Sequence, residues 1–460
     1  MKWTTRLLIV AAVAVLLRTT APAQTLVPLL TNGPTATRLN IVFLSEGYTA
    51  GQLNQFTNDA RAVLNNLLAT APFNAYPAYF NAYAIAVASN ESGSDHPSRS
   101  QFRDTYFNST YDSYGIARLV TIPPNDRDGT YANGQGKAMA LLQQFMPEYD
   151  IVVMVVNDTE YGGSGGSVLV TSVNASAPEI AVHELGHTFA GLGDEYATPF
   201  PGYPDTEEPN TTTQTTRSLI KWLPWILPAT PVPTPANAGY ASVVGLFEGA
   251  HYHDTGWFRP KLDCKMRSLG VPFCEVCSEA LVKSIYSRVR PIEGSSPGTN
   301  PVITLTNIAA AAFNVVPLQP AAQPLAIQWF TNNSPVAGAT SAVFNVTGFS
   351  LPPGTNTLRV EVNDTTAFVR TDADALLKEF RSWTIVTAVN QPLLQATIAG
   401  ARVTVAWQTN ATGFQLESTT GISPAPAWSL VLDAPTVVGN QNSVSFDLTN
   451  LFRFFRMRKP

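Results

Sequence analysis

The stretch "HELGHTFAGLGDEY", residues 183–196, holds two of the chain's five histidines four positions apart, with Glu184 between them. Just upstream, "SAPE" places Ser176 three residues before Glu179, the pattern of a capping box, and puts Pro178 in the first turn, where its missing N–H costs little. A helix is therefore expected to begin near 177. On it His183 and His187 share a face, close enough to bind one ion at roughly 2.0–2.1 Å per Zn–N bond. Glu184 lies beside this pair rather than in line with it. It can reach a water on such an ion without ligating the metal, which suits a general base. The capped helix supplies the context that separates an HExxH zinc site from two core histidines.

A catalytic zinc takes three protein ligands as a rule. The longer pattern HExxHxxGxxH puts the third at position 193, which here is Gly193. Asp194 comes next, and on a continued helix it would lie about 10 Å beyond His187 at ~1.5 Å rise per residue. The helix must stop, and Gly191 and Gly193 give the chain freedom to turn back. Asp194 is then the expected third ligand, since a carboxylate oxygen is an accepted zinc donor. Glu195 competes for that place, and Glu207, Glu208 and Glu248 are weaker competitors.

The whole stretch resembles the HExxHxxxGLxDEY motif of the IgA-peptidase family of metallopeptidases, relatives of the metzincins. The similarity extends over most of 38–290, through "IVFLSEGYT", "FNAYAIAVASNESGSDHP", "VGLFEGAHYHDTGWFRP" and "CKMRSLGVPFCEVC". The resemblance implies a zincin-like fold, His183, His187 and Asp194 as zinc ligands, and Glu184 as catalytic base. It also implies that Met266 underlies the metal as a Met-turn; on residues alone Met266 is a core thioether. No feature of the chain reads out immunoglobulin A, so that specificity is not carried over.

Around this motif the chain divides by pattern. In residues 1–23, Lys2 and Arg6 precede the apolar run "LLIVAAVAVLL", and "APA" offers a cleavage point, so a signal peptide and an exported, secreted or surface protein are expected. Residues 24–290 mix strand and helix patterns. "RLNIVFLSEGY" and "YDIVVMVVND" read as buried strands, and "TAGQLNQFTNDARAVLNNLLAT" as a helix capped by Thr49. The segment 167–172 reads as an edge for an extended substrate. Residues 291–301, "PIEGSSPGTNP", have linker composition and predict few contacts across the boundary. Residues 302–390 alternate with period two and suggest an immunoglobulin-like sandwich with Trp329 in its core, and 391–460 a fibronectin-type-like β-domain. The fold class expected is an α/β (α+β) zincin-like metallopeptidase domain followed by two small all-β sandwiches.

A net charge of −5 with 13% charged residues excludes a basic nucleic-acid footprint, and no segment after the signal reaches membrane-spanning length. Three cysteines, Cys264, Cys274 and Cys277, fall within fourteen positions. "CEVC" alone is half of a zinc knuckle, and no second pair completes four thiolates, so one local disulfide with a spare thiol is expected.

These features point to an exported zinc endopeptidase acting on a protein or peptide substrate, with Zn²⁺ as cofactor. Tyr196, Tyr252, His253 and Arg259 are candidate oxyanion stabilisers by residue type. A zinc amidase acting on cell-wall or glycoconjugate substrates would use the same motif. A surface adhesion protein with a vestigial zinc site is the further alternative, and there the β-domains would carry glycan or surface contacts.

Overall fold

The apolar runs assemble into one six-stranded sheet. The computed structural model of the chain describes residues 24–123, 133–306, 309–387, 392–409, 411–423, 425–448 and 452–459, so the expected signal peptide, 1–23, lies outside the described residues. Strands β1 (Thr25–Leu30), β2 (Leu39–Glu46), β3 (Phe80–Ala86), β4 (Ile151–Val156), β5 (Gly163–Ser164) and β6 (Leu169–Ser172) lie in the order β1-β3-β2-β4-β6-β5. The four central strands run parallel and the two edge strands antiparallel to their neighbours. Every residue of β2, β3, β4 and β6 is buried, as expected of parallel strands covered on both faces.

Alternate side chains face two cores. Ile41, Phe43, Val153 and Val155 point to the face covered by α1 (Leu53–Ala69) and α3 (Ala177–Ala190). Val42, Leu44, Val152 and Met154 point to the face covered by α2 (Gly134–Phe145). The short 3-10 turn leading into α1 opens with a reciprocal Thr49–Gln52 capping box. The capping box expected at α3 does not form. Ser176 makes no side-chain cap bond, the Glu179 N–H donating to its carbonyl instead, and the Glu179 carboxylate is drawn to the Lys265 ammonium and accepts from the Gly270 N–H at 2.9 Å.

Two further expectations change. β6 is interior, between β4 and β5, so 167–172 offers no free edge. The edge strand is β5, beside the cleft described below, and at Gly163 even this edge is bonded to segment 118–120. After a hairpin of β7 (Phe247–Ala250) and β8 (His253–Arg259), α4 (Glu275–Tyr286) closes the core. The stretch 291–301 then contains a strand instead of a linker. β9 (Ile292–Ser296) pairs antiparallel with Ala310–Pro317.

β9, Ala310–Pro317 and Val343–Thr347 form a three-stranded sheet that faces a five-stranded sheet across a shared core containing Phe313, Trp329, Val360 and Trp383. Trp329 is fully buried and donates its indole N–H to Ser341 O at 2.8 Å, the core role expected for it. This sandwich is bolted to the first core. Tyr76 and Tyr286 both donate to Asp364 Oδ2, at 2.8 and 2.7 Å, and Tyr79 donates to Leu318 O at 2.6 Å. The remaining chain builds a four-stranded and a three-stranded sheet over a small core around Trp407, Leu416 and Phe446. The architecture is thus mixed α/β followed by β-sheet units. Among the described residues no helix is long and apolar enough to cross a membrane.

Candidate metal centre

α3 carries both histidines, and its end returns the carboxylate to them. Gly191 takes φ 63°, the left-handed value that terminates helices at little cost for glycine, and the Leu192 N–H then donates to Gly186 O at 3.1 Å. Gly193 is held by Asn210, whose side chain accepts from its N–H at 2.7 Å and donates to its carbonyl at 2.9 Å. A Cβ at position 193 would fall 2.5 Å from the Glu208 carboxylate, so a side chain there would have to push that carboxylate away from Thr211 and His251.

His183 Nε2 and His187 Nε2 lie 3.2 Å apart, and Asp194 Oδ1 lies 3.1 Å from the first and 3.4 Å from the second. Tetrahedral zinc with bonds of ~2.0–2.1 Å separates its donor atoms by about 3.3–3.4 Å. The opposite ring nitrogens face carbonyls: His183 Nδ1 donates to Lys265 O at 2.9 Å, and His187 Nδ1 to Leu192 O at 2.6 Å. A carbonyl only accepts, so the neutral tautomers carry hydrogen on Nδ1 and aim lone pairs from Nε2. Asp194 Oδ1, though within ion-pair reach of both rings, is buried with no hydrogen-bond partner. Three lone-pair atoms therefore converge on one point, and a divalent cation fits the donor set. Without one, a proton is drawn in. Burial works against charge on His187, but the hydrogen bond and charge of Asp194 outweigh it and raise its pKa to about 9. Burial likewise acts to raise Asp194, and the two histidines outweigh it and hold the carboxyl below its ordinary range.

The competing carboxylates go elsewhere. Glu195 is fully buried, and its Oε1 accepts from Asn210 Nδ2 at 2.9 Å. Glu207 takes Thr212, Thr213 and Lys221; Glu208 takes Thr211 and His251; Glu248 accepts from the Gly256 N–H.

The sequence model of the IgA Peptidase M64 family matches residues 27–239 and 236–285, a span that contains the motif and every residue of the cluster. The chain belongs to the IgA peptidase M64 family. It is therefore a metallopeptidase. No curated protein matches the chain.

In this M64 peptidase a cleft of about 460 Å³ opens over the cluster, walled by Leu119, Ser164, Gly165, Glu184 and the tyrosines Tyr196, Tyr203 and Tyr252. Burial raises the pKa of Glu184 above the ordinary value, with Asp194 adding to it and the histidines opposing. Gly165 lies against it: a Cβ there would sit 3.1 Å from Glu184 Oε2. Met266 is fully buried beneath the helix turn that joins the two histidines, and a Cβ on Gly186 would fall 2.6 Å from its Sδ.

The four candidate oxyanion groups separate. Tyr252 is committed to Asp194 Oδ2 at 2.6 Å. Arg259 is buried and spends its guanidinium on the carbonyls of Glu248, Gly249 and Leu262. His253 lies outside the cleft lining, its Nδ1 on His251 O. Tyr196 stacks against His183 with ring centroids 6.0 Å apart and keeps a hydroxyl without a hydrogen-bond partner among the described residues. Sequence reasoning missed Tyr203 and Asn210. Both lie in the proline-rich loop after the motif, where no periodicity marks them, and only the proximity of that loop to "GLGDEY" gave a signal.

The expected disulfide is absent. Cys264, Cys274 and Cys277 are all free and buried, and Cys264 Sγ and Cys277 Sγ are 3.7 Å apart. An S–S bond is about 2.05 Å.

Proposed function

We propose that the chain is an exported zinc endopeptidase, with His183, His187 and Asp194 holding the ion and Glu184 acting as general base. The observation that carries this reading is the convergence of two imidazole lone pairs and one carboxylate oxygen, at 3.1–3.4 Å from one another, on the floor of an open cleft. A set of three protein donors suits a catalytic zinc, which when bound supplies Lewis-acid polarisation of the scissile carbonyl and an acidified water.

The chain's own groups supply the rest. Glu184 stands beside the donors without joining them, takes the proton of the attacking water and passes it to the leaving amine. Burial raises its pKa, which brings the base closer to the working range of general acid–base catalysis. Tyr196, kept protonated by burial and by the nearby Asp194 charge, offers a hydroxyl to the developing oxyanion. Ser164 and Gly165, on the β5 side of the cleft, present backbone to an extended substrate.

In this reading the six-stranded sheet and α3 are a zincin-like catalytic unit. Residues 302–390 are an immunoglobulin-like sandwich and 391–460 a fibronectin-type-like unit, serving as spacers or surface contacts. Export rests on the charge and hydropathy pattern of residues 1–23. The test is hydrolysis of a proteome-derived peptide library by the purified protein. Cleavage that stops on chelation and returns with zinc supports the reading, and chelator-resistant cleavage counts against it.

A further inference from the structure

A second cluster of donors sits behind the first and has no part in the peptidase chemistry. Glu195, Cys264, Cys274 and Cys277 are all buried, and their donor atoms all lie within 4.8 Å of one another. Three separate segments supply them. Glu195 follows Asp194, Cys264 lies one residue before Lys265, whose carbonyl holds His183, and Cys274 caps the N-terminus of α4 with Cys277 in its first turn.

The spacings are those of a metal site and too long for a disulfide, whose S–S bond is about 2.05 Å. In a tetrahedral zinc site with Zn–S bonds of ~2.3 Å, neighbouring sulfurs stand about 3.8 Å apart; a sulfur and a carboxylate oxygen stand about 3.6 Å apart. Here Cys264 Sγ to Cys277 Sγ is 3.7 Å, and Cys277 Sγ to Glu195 Oε1 is 3.6 Å. A disulfide between any two of the cysteines would leave the third thiol and the Glu195 carboxylate unexplained. The carboxylate is the decisive group. It is fully buried, its Oε2 has no hydrogen-bond partner, and among the described residues it forms no ion pair. One Asn210 amide on Oε1 does not offset such burial, so the carboxyl either holds a proton or pairs with a cation, and three thiols beside it supply the other donors of a cation site.

We infer that Glu195, Cys264, Cys274 and Cys277 form a second, structural site for zinc or a similar thiophilic divalent cation. Three thiolates and one carboxylate carry the same formal charge as the four thiolates of common structural sites, and the Cys-x-x-Cys pair at the start of α4 has the ligand spacing of a zinc knuckle. With four protein donors the site is closed, so it does no chemistry. It ties together the irregular segment after Asp194, the Met266 loop and α4, the three segments that frame the first cluster. The Cys274 N–H, 3.2 Å from Cys264 Sγ, is the kind of outer hydrogen bond that steadies a thiolate ligand.

This inference is independent of the catalytic reading, and one experiment separates the two. Metal content is measured by elemental analysis for the purified full chain and for a His183→Ala/His187→Ala variant, each also reconstituted with cobalt. The full chain should hold two equivalents and the double-histidine variant one, and that remaining cobalt should show thiolate-to-metal charge-transfer absorption. Cys277→Ser should remove the absorption; because that variant risks misfolding, the intact mass of the unreduced wild-type protein is read as well. A mass short by the two hydrogens of a disulfide, or a double-histidine variant with no metal, overturns the second site and leaves the catalytic reading standing. A full chain that itself holds only one equivalent, retained undiminished when both histidines are lost, supports the second site and overturns the metal assignment of the first.

Discussion

Tyr252 donates its hydroxyl hydrogen to Asp194 Oδ2 at 2.6 Å, and this fixes the other carboxylate oxygen, Oδ1, toward His183 and His187. The tyrosine is held in place by backbone bonds: its own N–H donates to Tyr196 O, and the His251 N–H to Asp194 O, both at 2.9 Å. His251 and Tyr252 both take positive φ, 52° and 57°, an uncommon conformation for non-glycine residues that clusters at functional sites. Tyr252 therefore orients a ligand, and its hydroxyl is not free for substrate.

Tyr252→Phe should weaken zinc by about 10–100-fold, the usual cost of losing a hydrogen bond to a metal ligand. Competitive chelator titration measures it. Unchanged affinity with lost turnover would make Tyr252 an oxyanion donor instead.

Zinc uptake should depend on pH through His187. Its pKa in the metal-free protein is raised to about 9 from the ordinary 6.5, so the proton stabilises the metal-free fold fully below 6.5, and that contribution is lost as pH rises through 9. A cation must displace this proton, so apparent zinc affinity should climb as pH rises toward 9 and level off above it. Thermal melting of metal-free protein across the same window should show falling stability. A flat affinity profile would mean His187 binds no proton in competition with zinc.

Gly186→Ala should destabilise the protein, although alanine in a helix interior ordinarily gains about 1 kcal/mol over glycine. The new Cβ would meet Met266 Sδ at 2.6 Å. Met266→Ala alone should cost ~2–5 kcal/mol by leaving a cavity. The double variant should be less destabilised than the two singles summed, and strict additivity in thermal melting would show that the contact is relieved without cost.

Removing everything after residue 290 should destabilise the peptidase unit. Asp364 accepts from two buried tyrosines, and Leu318 and Leu377 belong to the peptidase core cluster. Asp364→Ala, the milder test, leaves buried hydroxyls unsatisfied at about 1–3 kcal/mol each. A melting temperature unchanged in the truncated chain would restore the picture of an independent domain.

Local pattern made part of this legible. Val152 to Val156 could only be a buried strand, and His183 and His187 declare a shared helix face by spacing alone. Geometry favours Asp194, because a straight helix cannot bring it back and Gly191 can, but spacing alone leaves the adjacent Glu195 as a competitor. What stayed hidden depends on partners distant in sequence. Glu179 had the position for a capping box, but Lys265 holds its carboxylate. Ile292–Ser296 has the composition of a linker, yet a neighbouring strand recruits it. Cysteines read as a disulfide converge with Glu195, a residue from another segment that no spacing rule connects to them.

The most direct test is Glu184→Gln, measured as peptide hydrolysis at confirmed zinc content. The substitution keeps size and polarity and removes only the base, and Glu184 is no ligand in the proposed site. Zinc occupancy should stay at the wild-type level while turnover falls by about 10²–10⁴-fold, the usual contribution of a positioned acid–base group. Undiminished cleavage by a fully loaded Glu184→Gln protein would contradict the assignment of Glu184 as the base.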